Sequence, residues 1–239
     1  NKNMSILETK NLGYSYNGKS KVLEDISISF DVGKMYAILG PSGCGKTTLL
    51  SLLGGLDVPT KGEVVCNGEN INKLGLAKHR HENVSFIFQA YNLIDYMNSI
   101  ENVKLTSKKA PLPILERLGL TKEETKRNVL KLSGGQQQRV AIARALASDT
   151  AILLADEPKG NLDEDTAEEI TQILKESAHE LKRCVIIVTH SGALAKQADI
   201  VIKLRKGKAQ IFERPEEINK QSTSQPQKRK NNVSRSERR

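Results

Sequence analysis

Gly40-Pro41-Ser42-Gly43-Cys44-Gly45-Lys46-Thr47 stands between an apolar, strand-like stretch, Met35 to Leu39, and a helix-like one, Thr48 to Leu56. Glycines let a backbone fold closely round a polyphosphate, so that successive N–H groups and the N-terminus of the next helix point at anionic oxygens. Strand, loop and helix in that order are the context such a loop requires. Within it, Lys46 reaches the β- and γ-phosphates of a nucleotide and the Thr47 hydroxyl sits on Mg²⁺. A plain glycine-rich turn is the rival reading, and the flanking segments weigh against it.

Outward from the loop, Ile26, Ile28 and Phe30 alternate with Ser27 and Ser29, the period of a half-buried strand. Asn17-Gly18 and Asn67-Gly68 are hairpin-turn pairs. With Glu63 to Cys66 as another short strand, the N-terminal third reads as antiparallel sheet around one nucleotide-binding strand, loop and helix. From Asn92 to Leu132 come helix formers broken by Pro111 and Pro113, a small helical insertion. Ile152 to Ala155 and Val185 to Val188 read as buried strands, separated by an amphipathic helix with Ala167, Ile170, Leu174, Ala178 and Leu181 on one face. Strands alternating with helices imply a parallel sheet covered on both sides. Ile200 to Leu204 reads as its edge strand.

A chain of 239 residues, 38% hydrophobic and 27% charged, belongs with soluble globular proteins large enough to bury a full core. Its longest aliphatic runs, Ala151 to Ala155 and Val185 to Val188, fall far short of the roughly 20 residues that cross a bilayer. The polar start at Asn1 to Met4 lacks the apolar region of a signal peptide. Cys44, Cys66 and Cys184 form no C-x-x-C pair, which argues against a disulfide framework or zinc site and for a reducing cytosol. Cys44, inside the loop, reads as a small filler. The net charge of +9 gathers in Lys220 to Arg239, where seven basic residues face one acid, Glu237. That tail, rich in Ser, Gln and Asn, is expected to be disordered. The body is near balance, so no specific nucleic-acid partner is expected.

Two further strings narrow the chemistry. Leu132-Ser133-Gly134-Gly135-Gln136-Gln137-Gln138-Arg139 opens the helical run Val140 to Leu146, and Ser133 and Gln136 have capping-box spacing. A cap does not need Gly134 and Gly135. Glycines there let bare amides at a helix N-terminus approach an anion, a second phosphate site. One nucleotide does not need two such loops so far apart in sequence, which points to a head-to-tail pair of subunits, each lending this loop to phosphates held by the other. Ile152-Leu153-Leu154-Ala155-Asp156-Glu157-Pro158 is a strand ending in two carboxylates whose side chains alternate in direction. Asp156 is suited to hold Mg²⁺ through its water shell, and Glu157 to polarise the attacking water. Gln89 and His190 each end a β-like stretch.

Taken together, these residues resemble the ATP-binding cassette (ABC) ATPase family, from about Ile6 to Phe212. The resemblance implies an α/β phosphate-loop NTPase (RecA-like) fold: a parallel sheet core with an N-terminal antiparallel β subdomain and a small helical subdomain at about 92–140. The ATPase domain would span 4–213, followed by the tail at 214–239. ATP and Mg²⁺ would be held by Gly40, Pro41, Ser42, Gly43, Cys44, Gly45, Lys46, Thr47 and Thr48, with Ser133, Gly134, Gly135 and Gln136 of a second copy closing the pocket. The resemblance makes Gln89 the sensor of γ-phosphate and Mg²⁺ beside the permease, and His190 the switch that holds γ-phosphate and orients the water. Catalysis would fall to Glu157, His190, Gln89 and Lys46, and metal binding to Thr47, Gln89 and Asp156. The loop Gly160-Asn161-Leu162-Asp163 would cross the dimer interface. An aromatic stacks on adenine in this family; Tyr16 fits by position, with Tyr14 competing.

Leu53-Gly54-Gly55-Leu56-Asp57, Phe88-Gln89, Leu132 to Arg139 and Glu157 to Asp163 are similar to the subgroup of macrolide-exporter, lipoprotein-release, peptide-antibiotic-resistance and cell-division ATPases. That implies a prokaryotic, cytoplasmic subunit, peripheral on the inner face of the membrane through a separately encoded permease. A nucleotide-gated signalling or division module is the alternative, and a soluble ABC protein acting on ribosomes or DNA a third. The chain departs from the family at Lys159, where Thr is usual, at Ser191, where an acid is common, and in a short stretch between Val103 and Leu132.

Overall fold

A computed structural model describes residues 5–160 and 162–213; the stretch Asn1 to Met4, the tail expected to be disordered, and Asn161 lie outside the described residues. Side-chain alternation along buried parallel strands organises what lies inside them. β1 (Leu7–Tyr16), β2 (Ser20–Phe30), β4 (Lys61–Cys66) and the short β5 (Glu69–Asn70) form an antiparallel sheet in the order β2-β1-β4-β5, with β3 (Met35–Leu39) leaving it for a second sheet. The two hairpin turns fall at Asn17-Gly18 and Asn67-Gly68, each with positive φ at both residues, as a tight turn between right-twisted strands requires.

The second sheet is six-stranded, β10-β9-β3-β8-β7-β6, where β6 is Val84–Ile87, β7 Ile152–Asp156, β8 Cys184–Thr189, β9 Ile200–Arg205 and β10 Lys208–Phe212. β9, β3, β8, β7 and β6 run parallel, and only β10 is antiparallel. Ile200 to Leu204 is therefore an inner strand and not the expected edge. The edge is β10, whose Lys208 and Gln210 are exposed and carry too weak an apolar pattern to read as a strand.

Successive residues of one strand feed opposite layers. Tyr36 and Ile38 of β3 pack with Leu49, Leu52 and Leu53 of helix α1 (Lys46–Leu53) and with the antiparallel sheet's Leu7, Leu23 and Phe30. Met35 and Ala37 pack on the other side, with helices carried after β6 and β7. α1 is shorter than its apolar run suggested: Gly54 and Gly55 end it, and Leu56 is exposed. After it come α2 (Ile71–Leu74) and α3 (Leu76–Glu82), then the lobe built from α4 (Ser99–Lys104), α5 (Leu112–Arg117), α6 (Lys122–Thr125) and a 3₁₀ turn at Val129–Lys131. α7 (Gly134–Ala147) runs from that lobe onto the sheet, packing Val140, Ile142, Ala143 and Leu146 against Leu153 and Ala155. α8 (Glu164–His179) buries Ile170, Leu174 and Ala178, whereas Leu181 lies past its end and is exposed, a correction to the expected apolar face. α9 (Gly192–Ala195) follows β8.

One buried cation fixes the end of α7. Arg183, at the entry to β8, donates from Nε to Thr150 O (2.8 Å) and from Nη1 to Leu146 O (3.2 Å). Burial pushes its guanidinium pKa down, so these carbonyls, with the Thr150 hydroxyl, substitute for lost hydration. Arg183→Leu is expected to strand two carbonyls and cost roughly 2–4 kcal/mol. Urea unfolding checks this; a wild-type midpoint contradicts it.

Candidate functional site

The loop after β3 is shaped by what has no side chain. A Cβ on Gly40 would lie 2.5 Å from Cys44 Sγ and 2.6 Å from the Leu204 carbonyl, so the Cys44 thiol fills the space that Gly40 leaves. Gly43 (φ 76°) and Gly45 (φ 99°) take left-handed conformations that L side chains rarely adopt. Gly45 caps α1 without a side-chain partner, so the helix's first amides keep the donor arrangement that suits an anion. Lys46 is buried and curls back, donating from Nζ to the carbonyls of Gly40 (2.7 Å) and Pro41 (2.8 Å). Its ammonium thus lies inside the curve of Gly40 to Gly45. Ser42 is exposed, and Thr48 continues into α1.

Three neighbouring strands supply the rest. The Thr47 hydroxyl donates to Asp156 Oδ2 at the end of β7 (3.2 Å). Burial pushes the Asp156 carboxyl pKa up, opposed by the Thr47 bond and reinforced by Glu157 next to it. A hydroxyl beside a buried carboxylate fits a hard cation that keeps several of its waters, as Mg²⁺ does. Glu157 has a positive φ of 46° while its N–H still bonds Val188 O (2.9 Å), so the chain turns sharply at the carboxyl end of β7. The turn sends its carboxylate towards β8: Oε1 accepts from His190 N (2.7 Å) and sits 2.6 Å from His190 Nδ1, and Oε2 accepts from Thr189 Oγ1 (3.1 Å). A carboxylate only accepts, so Nδ1 carries the proton and Nε2 is the ring's remaining nitrogen. Asp156 and Glu157 therefore face separate partners, not by the strand alternation expected, since β7 ends at Asp156, but through the left-handed turn at Glu157.

Gln89 lies in the bend after β6 and is exposed, next in sequence to Phe88, whose ring stacks on that of Phe86 (5.0 Å). Tyr14 is committed: its hydroxyl donates to Asp57 Oδ2 (2.8 Å), which, with other contacts, raises its pKa. Tyr16 packs edge-on against it (5.2 Å) and is 55% exposed, leaving its ring accessible. Asp163 caps α8 through the Thr166 N–H (2.9 Å), and Ser191 caps α9 through the Leu194 N–H (3.3 Å). Serine and aspartate are both good caps, so Ser191 keeps the helix start as the acid expected from the family resemblance would.

Ser133 and Gln136 form the full capping box: Gln136 N donates to Ser133 Oγ (3.2 Å) and Ser133 N to Gln136 Oε1 (2.9 Å). Gly134 is exposed beside them and Gly135 half-buried. Among the described residues no hydrogen bond joins 133–136 to 40–48, so the loop after β3 and the start of α7 remain separate within one chain. Sequence reasoning passed over three residues. Thr189 holds Glu157. Arg144 donates to the carbonyls of Tyr91 (3.0 Å) and Asn92 (2.7 Å), just past Gln89. Gln138 donates to Pro158 O (2.8 Å). Their partners lie between 20 and 53 positions away, and no local pattern marks them.

Fold and site define a phosphate-loop nucleoside triphosphatase. A family model described as "ABC transporter" matches residues 23–160, and the chain belongs to that family as an ATP-binding, ATP-hydrolysing component. It is 46% identical to an uncharacterized ABC transporter ATP-binding protein of Bacillus subtilis, YclH, over 88% of this chain and 98% of that one. It is 40% identical to the lipoprotein-releasing system ATP-binding protein LolD of Colwellia psychrerythraea, covering 79% of this chain and 78% of LolD. The dimeric structure of the ABC transporter cassette MJ0796, from Methanocaldococcus jannaschii, superimposes with a TM-score of 0.80 at 35% identity, covering 86% of this chain and 97% of that one. A second dimeric structure of MJ0796, in a post-hydrolysis state bound to ADP and Pi, gives 0.79.

Gly40→Ala is expected to push a methyl group into Cys44 and the Leu204 carbonyl, lowering stability by roughly 1–3 kcal/mol and weakening ATP binding. Thermal unfolding and titration with a fluorescent ATP analogue measure the two effects. Wild-type values in both would remove the close approach from the loop's design.

Proposed function

We propose that two copies of this chain close head to tail on two ATP molecules, and that closing and reopening drive a separately encoded permease on the cytoplasmic face of a membrane. The observation that carries the reading is the convergence of Lys46, Thr47, Asp156, Glu157 and His190 at the carboxyl ends of three adjacent parallel strands, where open α/β sheets bind ligands. In this reading the β- and γ-phosphates displace the Gly40 and Pro41 carbonyls from the Lys46 ammonium, which is already desolvated and aimed inward. The amides from Gly43 to Thr48 donate to the same oxygens, Tyr16 stacks on the base, and the second copy's Ser133, Gly134, Gly135 and Gln136 close the γ-phosphate side. Thr47 and Asp156, with Gln89, would hold Mg²⁺, which when bound neutralises phosphate charge.

Phosphoryl transfer is largely positioning and charge neutralisation. Glu157 polarises a water whose oxygen bonds the γ-phosphorus as the bond to the β–γ bridging oxygen breaks, leaving ADP and inorganic phosphate. His190, gripped through Nδ1, presents Nε2 towards the γ-phosphate. Glu157→Gln is expected to bind ATP normally, hydrolyse it at least about a hundredfold more slowly, and accumulate as a dimer with Mg·ATP on size-exclusion chromatography with light scattering. Wild-type turnover would take Glu157 out of this role.

The permease has a place to dock. A cleft of about 580 Å³ lies between the β6 edge and the helical lobe, lined by Arg80, Phe86, Phe88, Leu105, Lys108 and Arg144, among others. Leu105 is 53% exposed there. Apolar side chains (Val84, Phe86, Phe88, Leu105) set among polar and charged ones of both signs, including Glu82 and Asp149, suit an amphipathic helix from a cytoplasmic loop of the permease. Among the described residues no helix is long and apolar enough to cross a membrane. The subgroup's tasks (export, lipoprotein extraction, antimicrobial-peptide resistance) make the permease the chooser of substrate. Leu105→Lys is expected to keep basal ATP turnover within about twofold while most co-purification with the permease is lost; unchanged association would place docking elsewhere.

A further inference from the structure

Three buried side-chain atoms lack a hydrogen-bond partner among the described residues: Ser99 Oγ, Gln138 Oε1 and Arg139 Nε. Two of the three are neighbours on α7; Arg139 donates from Nη1 to Leu118 O in the helical lobe (3.4 Å), and Gln138 faces the chain just past Glu157. Gln138 is 3% exposed, and its Nε2 donates to Pro158 O at 2.8 Å. Arg139 is close enough to Asp163 to help the Thr166 N–H and hydroxyl hold that carboxyl below the usual range. Buried amides are ordinarily satisfied at both ends, whereas Gln138 uses one end, on the residue that directly follows Glu157. Five residues earlier on the same helix is Ser133, about 7.5 Å away along the axis. An α-helix transmits a displacement of that length as a rigid piece.

Resting on the shared-pocket reading above, we propose that Gln138 is a positioning residue for hydrolysis. It ties the backbone at Pro158, and with it the Glu157 carboxylate, to the helix whose start senses the second copy's nucleotide. Each chain's own hydrolysis centre is thereby set by occupancy of the pocket it helps to close across the dimer. The unused Oε1 gives the amide a second bonding position when the backbone at Pro158 shifts. Steric closure alone makes both ATP molecules necessary for dimerisation; the Gln138 tie further makes the rate of each pocket depend on the other.

The test uses the full chain, with its permease where that is required for turnover. In Gln138→Leu, kcat is expected to fall about tenfold or more, the Hill coefficient for ATP to drop towards one, and monomer affinity for a fluorescent ATP analogue to stay within about twofold. In Gln138→Glu, a buried carboxyl that is protonated donates to Pro158 O as the amide does, and once ionised it repels that carbonyl. Turnover of that variant relative to wild type is therefore expected to rise as pH falls from 8.5 to 6. Wild-type kcat and Hill coefficient in Gln138→Leu, loss of nucleotide binding in step with turnover, or a ratio for Gln138→Glu that ignores pH would each overturn the proposal. Ser133→Arg separates this from the reading beneath it: if it abolishes turnover while Gln138→Leu is silent, only the tie is wrong, and if it leaves turnover intact, the shared pocket falls and the tie with it.

Discussion

The order of four parallel strands is the constraint from which the site follows. β3, β8, β7 and β6 lie side by side, about 4.8 Å apart, and all point the same way. Their carboxyl ends deliver, in sequence across the sheet, Gly40 to Thr47, His190, Asp156 with Glu157, and Gln89. Adjacent strands bring Glu157 and His190 within 2.6 Å, and α1 carries Thr47 across β8 to Asp156. No loop needs to be long, and the chemistry sits on rigid supports. The left-handed turn at Glu157 lets consecutive carboxylates serve opposite sides of the site.

Burial of charge is the second theme. Lys46, Asp156 and Arg183 are buried and Arg144 half-buried, and their bonds go mainly to backbone carbonyls or a hydroxyl, not to opposite charges. Such groups cost stability unless their hydrogen bonds are complete. Arg144 and Arg183 are served by fixed carbonyls and brace α7 against 91–92 and β8. Lys46 and Asp156 have partners that a nucleotide and its cation can replace, and in the proposed cycle these two change company.

Much of the arrangement was legible in the residues. The glycine pattern from Gly40 to Gly45, the period-two alternation of Ile26, Ile28 and Phe30, and the Ser133–Gln136 cap are local signals, and each took the form its physics dictates. Ile200 to Leu204 was misplaced at the edge because a short strand's apolar run does not reveal how many neighbours it has. β10 went unseen since its side chains, Lys208 and Gln210 among them, face solvent. Leu181 fitted a helical period that His179 and Glu180 had already ended. Gln138, Arg144 and Thr189 were invisible for a deeper reason: each acts on backbone or side chain brought near only by tertiary structure. Tyr14 and Tyr16 competed on position alone, and tertiary structure separates them: Tyr14 is half-buried and bonded to Asp57, Tyr16 exposed.

Whether two chains share each ATP is decided most directly by mixing two inactive variants, Glu157→Gln and Ser133→Arg, and measuring phosphate release. With shared pockets, a mixed dimer holds one pocket carrying both lesions and one with neither, so the mixture is expected to release more phosphate than the two variants measured apart, rising with the proportion of mixed dimers. If each chain instead completes its own site, the mixture releases no more phosphate than the two variants measured apart, and that result would contradict the shared pocket outright.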